Sequence, residues 1–179
     1  MSGRILCVRE DAIATVTLSN PGKLNAIDFA MWQKLAEVLR EVSGDGQVRC
    51  VVLRGDGEQA FAAGGDIEEF LHRRDTLERA LAYHAQVGAA LQAVFDCRHP
   101  TIALLQGACI GGGLEIAAQC DLRVCGESSR FGAPINKLGF SMYPGEMEGL
   151  LRLAGAATVF EILLEGRILG AGEALAKAW

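Results

Sequence analysis

Two stretches of the chain put glycines straight after an apolar run and straight before a helix signal. In one, Val51-Val52-Leu53-Arg54 leads on to Ala62-Ala63-Gly64-Gly65-Asp66-Ile67. In the other, Ile102-Ala103-Leu104-Leu105 leads on to Ile110-Gly111-Gly112-Gly113-Leu114-Glu115. Glycine lets the backbone approach a ligand with no Cβ in the way and permits positive φ. A helix start adds unpaired N–H groups and positive partial charge. Two such turns from neighbouring strands could aim two N–H donors at one carbonyl oxygen, an oxyanion hole in which each donor is worth ~3 kcal/mol at a transition state. Each turn alone is better explained by close helix–strand packing; together they favour a site.

Glu115 falls in the first turn of the second helix, two residues past the triple glycine. As a structural residue it would only answer the helix dipole, for a few tenths of ~1 kcal/mol. As a functional one it is a general acid/base, its pKa raised by desolvation and held down by the dipole. Glu68 and Glu69 read as an exposed helix turn. Glu146 and Glu148, in Tyr143-Pro144-Gly145-Glu146-Met147-Glu148, read as a solvated helix start.

The elements that must position these residues follow from periodicity. Residues 5–9 and 12–18 read as a hairpin, and Asn20-Pro21-Gly22 breaks the sheet. Asp28 caps a helix whose Phe29, Trp32, Leu35, Ala36, Leu39 and Val42 share a side. Residues 48–54, 101–106 and 122–125 read as buried strands. Residues 55–65 and 107–112 read as turns or loops. Asp66 with Glu69 signals a short capped helix, and a longer one is expected over residues 76–95, with Leu77, Leu81, His84, Val87, Leu91 and Val94 on one side. Residues 113–120 form another helix. After a loop at 132–145 the pattern is helical, broken at Gly155 and Gly166. Strand–helix alternation makes the chain α/β with largely parallel pairing. Rossmann-like winding and a spiral of strand–strand–helix units both fit.

The 179 residues, half of them hydrophobic, suffice for one sizeable core, and 22% charged residues argue against general disorder. A net charge of −5 with scattered basic residues argues against a nucleic-acid groove. No apolar stretch reaches bilayer-spanning length without interruption, and the amino terminus lacks a secretory pattern, so a cytoplasmic protein is expected. Cys7, Cys50, Cys97, Cys109, Cys120 and Cys125 lie mostly in apolar runs and read as buried, reduced thiols. With no C-x-x-C and with His72, His84 and His99 far apart, no metal is expected. Gly55-Asp56-Gly57-Glu58-Gln59-Ala60 fits a relaxed dinucleotide fingerprint, but no helix opens from it, and it reads as a surface loop.

The motifs, in wording and order, resemble the crotonase (enoyl-CoA hydratase/isomerase) superfamily along the whole chain. Asn20-Pro21-…-Leu24-Asn25-Ala26 is similar to its N-x-P-…-N-A segment. Phe61-Ala62-Ala63-Gly64-Gly65-Asp66-Ile67 is similar to F-x-A-G-x-D. Gly107-…-Gly111-Gly112-Gly113-Leu114-Glu115-…-Cys120-Asp121 is similar to G-x-x-x-G-G-G-x-E-…-C-D, and Phe131-Gly132-Ala133-Pro134 with Leu138-Gly139 continues the match. The resemblance implies a crotonase-like (ClpP/crotonase) spiral of ββα units, a single core domain over residues 1–179 that ends earlier than is usual, and assembly as a homotrimer or a dimer of trimers. It implies an acyl-CoA thioester as ligand, with coenzyme A entering as part of the substrate and no separate cofactor. By position, Gly65 and Gly112 would supply the oxyanion amides and Glu115 the acid/base. Leu24, Ala26, Ala63, Asp66, Ile67 and Gly111 would line the path of the thioester. Hydratases of the family hold water between two carboxylates, the second directly after Phe-Gly-x-Pro. Here that position is Ile135, which can only line the substrate site and moves no proton. Three readings follow: an isomerase or weak hydratase using Glu115 alone; another CoA-thioester reaction (decarboxylation, hydrolysis or lysis) with Glu146 or another group as partner; or an acyl-CoA-binding protein without chemistry.

Overall fold

The computed structural model describes residues 3–177 and 179; Met1, Ser2 and Ala178, which the expected domain includes, lie outside the described residues. Strands β1 (Arg4–Glu10) and β2 (Ile13–Ser19) form the expected hairpin. Helix α1 (Phe29–Gly44) starts at Asp28, whose side chain accepts the amide of Met31 at 2.8 Å. It buries Trp32, Leu35, Ala36, Leu39 and Val42, the stripe expected from spacing.

Three consecutive windings then share one plan. Strand β3 (Cys50–Gly55) is followed by β4 (Ala60–Ala62) and helices α2 (Ile67–Arg73) and α3 (Leu77–Phe95). Strand β5 (Thr101–Leu105) is followed by β6 (Ala108–Ile110) and α4 (Gly112–Gln119). Strand β7 (Leu122–Cys125) is followed by β8 (Arg130–Gly132), a 3-10 turn at Ile135–Leu138 and α5 (Pro144–Leu164). The chain then runs through β9 (Ile168–Gly170) and α6 (Ala171–Ala176). The first strand of each winding joins a five-stranded sheet ordered β1-β2-β3-β5-β7, and the second joins a four-stranded sheet ordered β4-β6-β8-β9. Pairing between successive windings is parallel in both sheets. This is a spiral of ββα units, which decides between the two windings that periodicity left open.

Several expectations need correction. The loops expected at 55–65 and 107–112 each contain a three-residue strand, and further short strands occur at β8 and β9. Three residues are too few to develop a readable alternation. In α3, Val87, Leu91 and Val94 are buried as expected, but Leu77 and Leu81 are exposed at 77% and 51%. Only the later part of that helix packs on the core. Cys109 and Cys120 are buried, whereas Cys7 and Cys125 are exposed, because β1 and β7 are the edge strands of the larger sheet.

The motif residues also have structural work. Asn25 sits at φ 57 and donates from Nδ2 to the carbonyls of Asp56 (3.0 Å) and Ala60 (2.8 Å), tying the segment after β2 to the β3–β4 connection. Asp121 accepts from both the amide and the hydroxyl of Thr101, at 2.7 and 2.8 Å, which locks β7 against the start of β5. No helix among the described residues is long and apolar enough to cross a membrane.

Candidate active site

The two glycine turns meet. A Cβ built on Gly111 would lie 3.6 Å from the Cα of Gly64, and one on Gly64 would lie 3.4 Å from the carbonyl oxygen of Ile110. Parallel pairing of β4 with β6 brings them side by side, since each turn follows the second strand of its winding. Gly65 lies in a parallel bridge with Ile27, in which Ile27 donates to Gly64 and Asp66 donates to Ile27. That bridge turns the Gly65 amide the other way. Gly112 opens α4, where N–H groups have no partner inside the helix. Among the described residues neither the Gly65 nor the Gly112 amide donates to a protein group, and both residues line one cavity of about 340 Å³.

The three consecutive glycines differ in what they do. Gly111 has φ +49 and turns the chain from β6 into the helix. A Cβ on Gly113 would meet the carbonyl oxygen of Ala62 at 2.7 Å, so this glycine serves close packing of α4 on β4. A Cβ on Gly112 would meet the Trp32 ring at 2.7 Å. Packing and site formation are therefore divided among neighbouring residues.

Glu115, one turn into α4, is buried and opens onto the same cavity. Burial pushes its carboxyl well above the ordinary carboxylate range, the charge of Glu146 adds to that rise, and Arg74 opposes it. Ala63, Ile67, Gly111 and Ile135 also reach the cavity. Leu24 and Asp66 do not line it. Leu24 lies in a separate groove with Asn25 and Gly57, and its carbonyl accepts the Ala63 amide at 3.0 Å. Ala26 does not reach the cavity either; its carbonyl accepts from Asn20 Nδ2 at 2.7 Å. Asp66 caps α2 and pairs with Lys23 at 2.7 Å.

The opposite wall enters the sequence reading only in the alternative that makes Glu146 a partner; the preferred expectation for Glu146 is a solvated helix start. Glu146, expected to be solvated, is buried and lines the cavity, while Glu148 is exposed as expected. Its Oε1 lies 2.7 Å from Nδ1 of His84 on α3. The His84 ring stacks on Tyr143, with centroids 4.7 Å apart. The Arg74 guanidinium lies 3.3 Å from the His84 ring nitrogens and over the rings of Phe70 and Tyr83, at 4.3 and 4.6 Å. Glu69 also departs from expectation: its carboxylate accepts the Phe29 amide at 2.7 Å, so it tethers α2 to the start of α1 rather than closing a capping box. Glu68 is exposed and paired with Lys23. The one available hint of this wall was His84 itself, a titratable side chain inside an apolar helical stripe.

A ββα spiral with paired glycine turns over one cavity defines a crotonase-like fold, and comparison with known proteins agrees. The enoyl-CoA hydratase/isomerase family model matches residues 8–177, and the chain belongs to that family. A short-chain-enoyl-CoA hydratase of Clostridium acetobutylicum is 32% identical over 175 residues, covering 96% of this chain and 65% of the relative. A crystal structure described as an enoyl-CoA hydratase/carnithine racemase from Magnetospirillum magneticum superposes with a TM-score of 0.95 at 48% identity, covering 97% of this chain and 65% of that one. An enoyl-CoA hydratase from Bacillus anthracis gives a TM-score of 0.88 at 26% identity, covering 97% and 67% respectively. The chain thus spans about 65% of the length of such relatives.

Proposed function

We propose that the cavity takes an acyl-CoA thioester and moves protons on its acyl chain through an enolate. The thioester oxygen rests on the Gly65 and Gly112 amides, and Glu115 exchanges protons with the acyl carbons. The observation that carries this reading is the convergence of both glycine turns and a buried, protonation-prone Glu115 on one cavity. Amides in a dry site stabilise charge as it develops on the oxygen, at no cost in reorganisation. A carboxyl raised toward working pH can both give and take a proton. Ile135 stands where a hydratase would carry its second carboxylate, which favours double-bond migration over water addition as the main reaction.

The test uses the full-length protein with trans-3-hexenoyl-CoA and crotonyl-CoA, followed by formation or loss of the conjugated thioester. The expected result is faster turnover of the 3-enoyl substrate, lost in Glu115→Gln by a factor of about 10²–10⁴. Unchanged turnover in Glu115→Gln sinks the assignment.

A further inference from the structure

We propose that Glu146, seated by His84 and Arg74, is a second proton-transferring group of this cavity, reaching it from α5 in place of the carboxylate that Ile135 does not supply. This rests on the acyl-CoA reading above and deepens it.

Glu146 opens onto the same cavity as Glu115, and each is only 7% exposed, so both carboxyls are withdrawn from bulk solvent. The charge of Glu146 is felt at Glu115, where it adds to the rise that burial causes. Two carboxylates in a dry site do not both ionise readily, and one of them is left holding a proton. The surroundings distinguish the two. Each oxygen of Glu146 has a donor: His84 Nδ1 at 2.7 Å on Oε1 and, at a longer 3.4 Å, the Tyr143 amide on Oε2. No side chain or amide among the described residues donates to the Glu115 carboxyl. With Glu146 ionised, His84 donates to it from Nδ1, and Nε2 is the ring nitrogen left to face Arg74 Nη2, which lies 3.3 Å from both ring nitrogens. Arg74 is held over Phe70 and Tyr83, and its Nε is buried without a partner among the described residues. Among the described residues the guanidinium pairs with no carboxylate; it contacts the His84 ring, and its charge is also felt at Glu115. The donors on both Glu146 oxygens, with none on Glu115 among the described residues, assign Glu146 the part of base and Glu115 that of acid.

For double-bond migration the balance is closed. Glu146 takes a proton from one acyl carbon, and that C–H pair passes into the enolate held by the amides. The enolate collapses as Glu115 gives its proton to the carbon two positions away, so one C–H bond breaks, another forms, and the double bond moves by one place. Glu146 then holds the proton that Glu115 has lost, and exchange between them or with water restores the start.

A plainer role for Glu146, as the capping residue of α5, predicts different results. Full-length Glu146→Gln is expected to lower kcat with trans-3-hexenoyl-CoA by about 100-fold while KM stays within about threefold. A cap alone would lower stability and leave kcat nearly unchanged. His84 is a positioning residue, so His84→Ala is expected to lower kcat about tenfold, and His84→Asn, which keeps a donor at the Nδ1 position, is expected to recover most of it. If Glu146→Gln does not fold, the two His84 variants decide. Solvent deuterium entering the acyl chain of hexanoyl-CoA gives a second readout, expected to stop in Glu146→Gln. Should Glu115→Gln be inactive while Glu146→Gln keeps kcat within about threefold of the wild type, this inference falls and the single-carboxylate reading stands. Absence of both turnover and exchange in the wild-type protein overturns both.

Discussion

The two walls of the cavity are made of different material. One is backbone: the β4–α2 and β6–α4 turns, whose useful groups are amides and whose side chains have been reduced to hydrogen. The other is side chain: Arg74, His84 and Glu146, brought together from the end of α2, the middle of α3 and the start of α5. The first wall is fixed by sheet pairing between neighbouring strands and needs no particular side chain beyond a tolerance for close approach. The second depends on three residue identities spread along the chain from Arg74 to Glu146. Glu115 stands between them, carried by the backbone wall and tuned by charges on the other.

The comparison breaks most visibly at Glu115. Its replacement by Gln in the full-length protein is expected to cost about 10²–10⁴ in the proposed turnover with a small change in KM, since the amide keeps shape and burial but moves no proton. Steady-state kinetics with trans-3-hexenoyl-CoA checks this. A smaller but still large effect is expected on the backbone wall from Gly112→Ala. The new methyl would stand 2.7 Å from the Trp32 ring, which is 1% exposed and packed in the core, so the ring or the turn must shift. Destabilisation of about 1–3 kcal/mol is expected in urea unfolding, accompanied by weaker thioester turnover as the amide is pushed aside.

Next in size is a linkage between pH and stability. The Glu115 carboxyl is raised in the folded protein by burial first and by Glu146 second. Below the unfolded-state value both states hold the proton, and Glu115 contributes no penalty. As pH rises past that value, the unfolded chain loses its proton while the folded one keeps it, so folding becomes less favourable until the folded pKa is passed. Each unit of separation corresponds to about 1.4 kcal/mol. Glu115→Gln should therefore gain stability relative to the wild type on going from pH 4 to pH 8, measured by denaturant unfolding at each pH. Equal stabilities across that range would mean that the carboxyl is hydrated and that the wall facing it is open.

How much of each wall could be read in the sequence follows from the same division. The backbone wall is local: glycines follow strands within a few residues, and Asp28 and Asp66 announce the helices behind them. The shared strand–glycine–helix plan suggested pairing the two turns, and the family resemblance then singled out Gly65 and Gly112. Short strands β4, β6, β8 and β9 escaped, because three residues carry no period. The side-chain wall is non-local. His84 sat in an apolar stripe and read as core; Arg74 and Glu146 sat at helix ends, where charge is ordinarily solvated. Only the winding that packs α3 against α5 puts them in contact, and no spacing rule reports that.

The smallest effect expected is at Gly65, and it separates the amide from the side chain most cleanly. A Cβ here would lie 3.2 Å from Cζ of Phe70 and 3.6 Å from the Tyr83 hydroxyl. Unlike Trp32 at Gly112, the Phe70 ring is only half-buried and meets Gly65 with its far end, so a shift of a few tenths of an ångström relieves the contact. Gly65 is also absent from the glycines that hold positive φ, so alanine brings no backbone strain. If the donor is the amide alone, Gly65→Ala keeps it, and kcat should stay within about threefold of the wild type with a stability change within about 0.5 kcal/mol. Full-length Gly65→Ala and Gly112→Ala, measured side by side, turn the comparison into a number. The two sites offer the same chemical group, so a large difference between them must come from what packs behind each turn. A loss at Gly65 as large as at Gly112 would mean instead that the α2 turn positions substrate through its side-chain face, and that the backbone wall is less uniform than its glycines suggest.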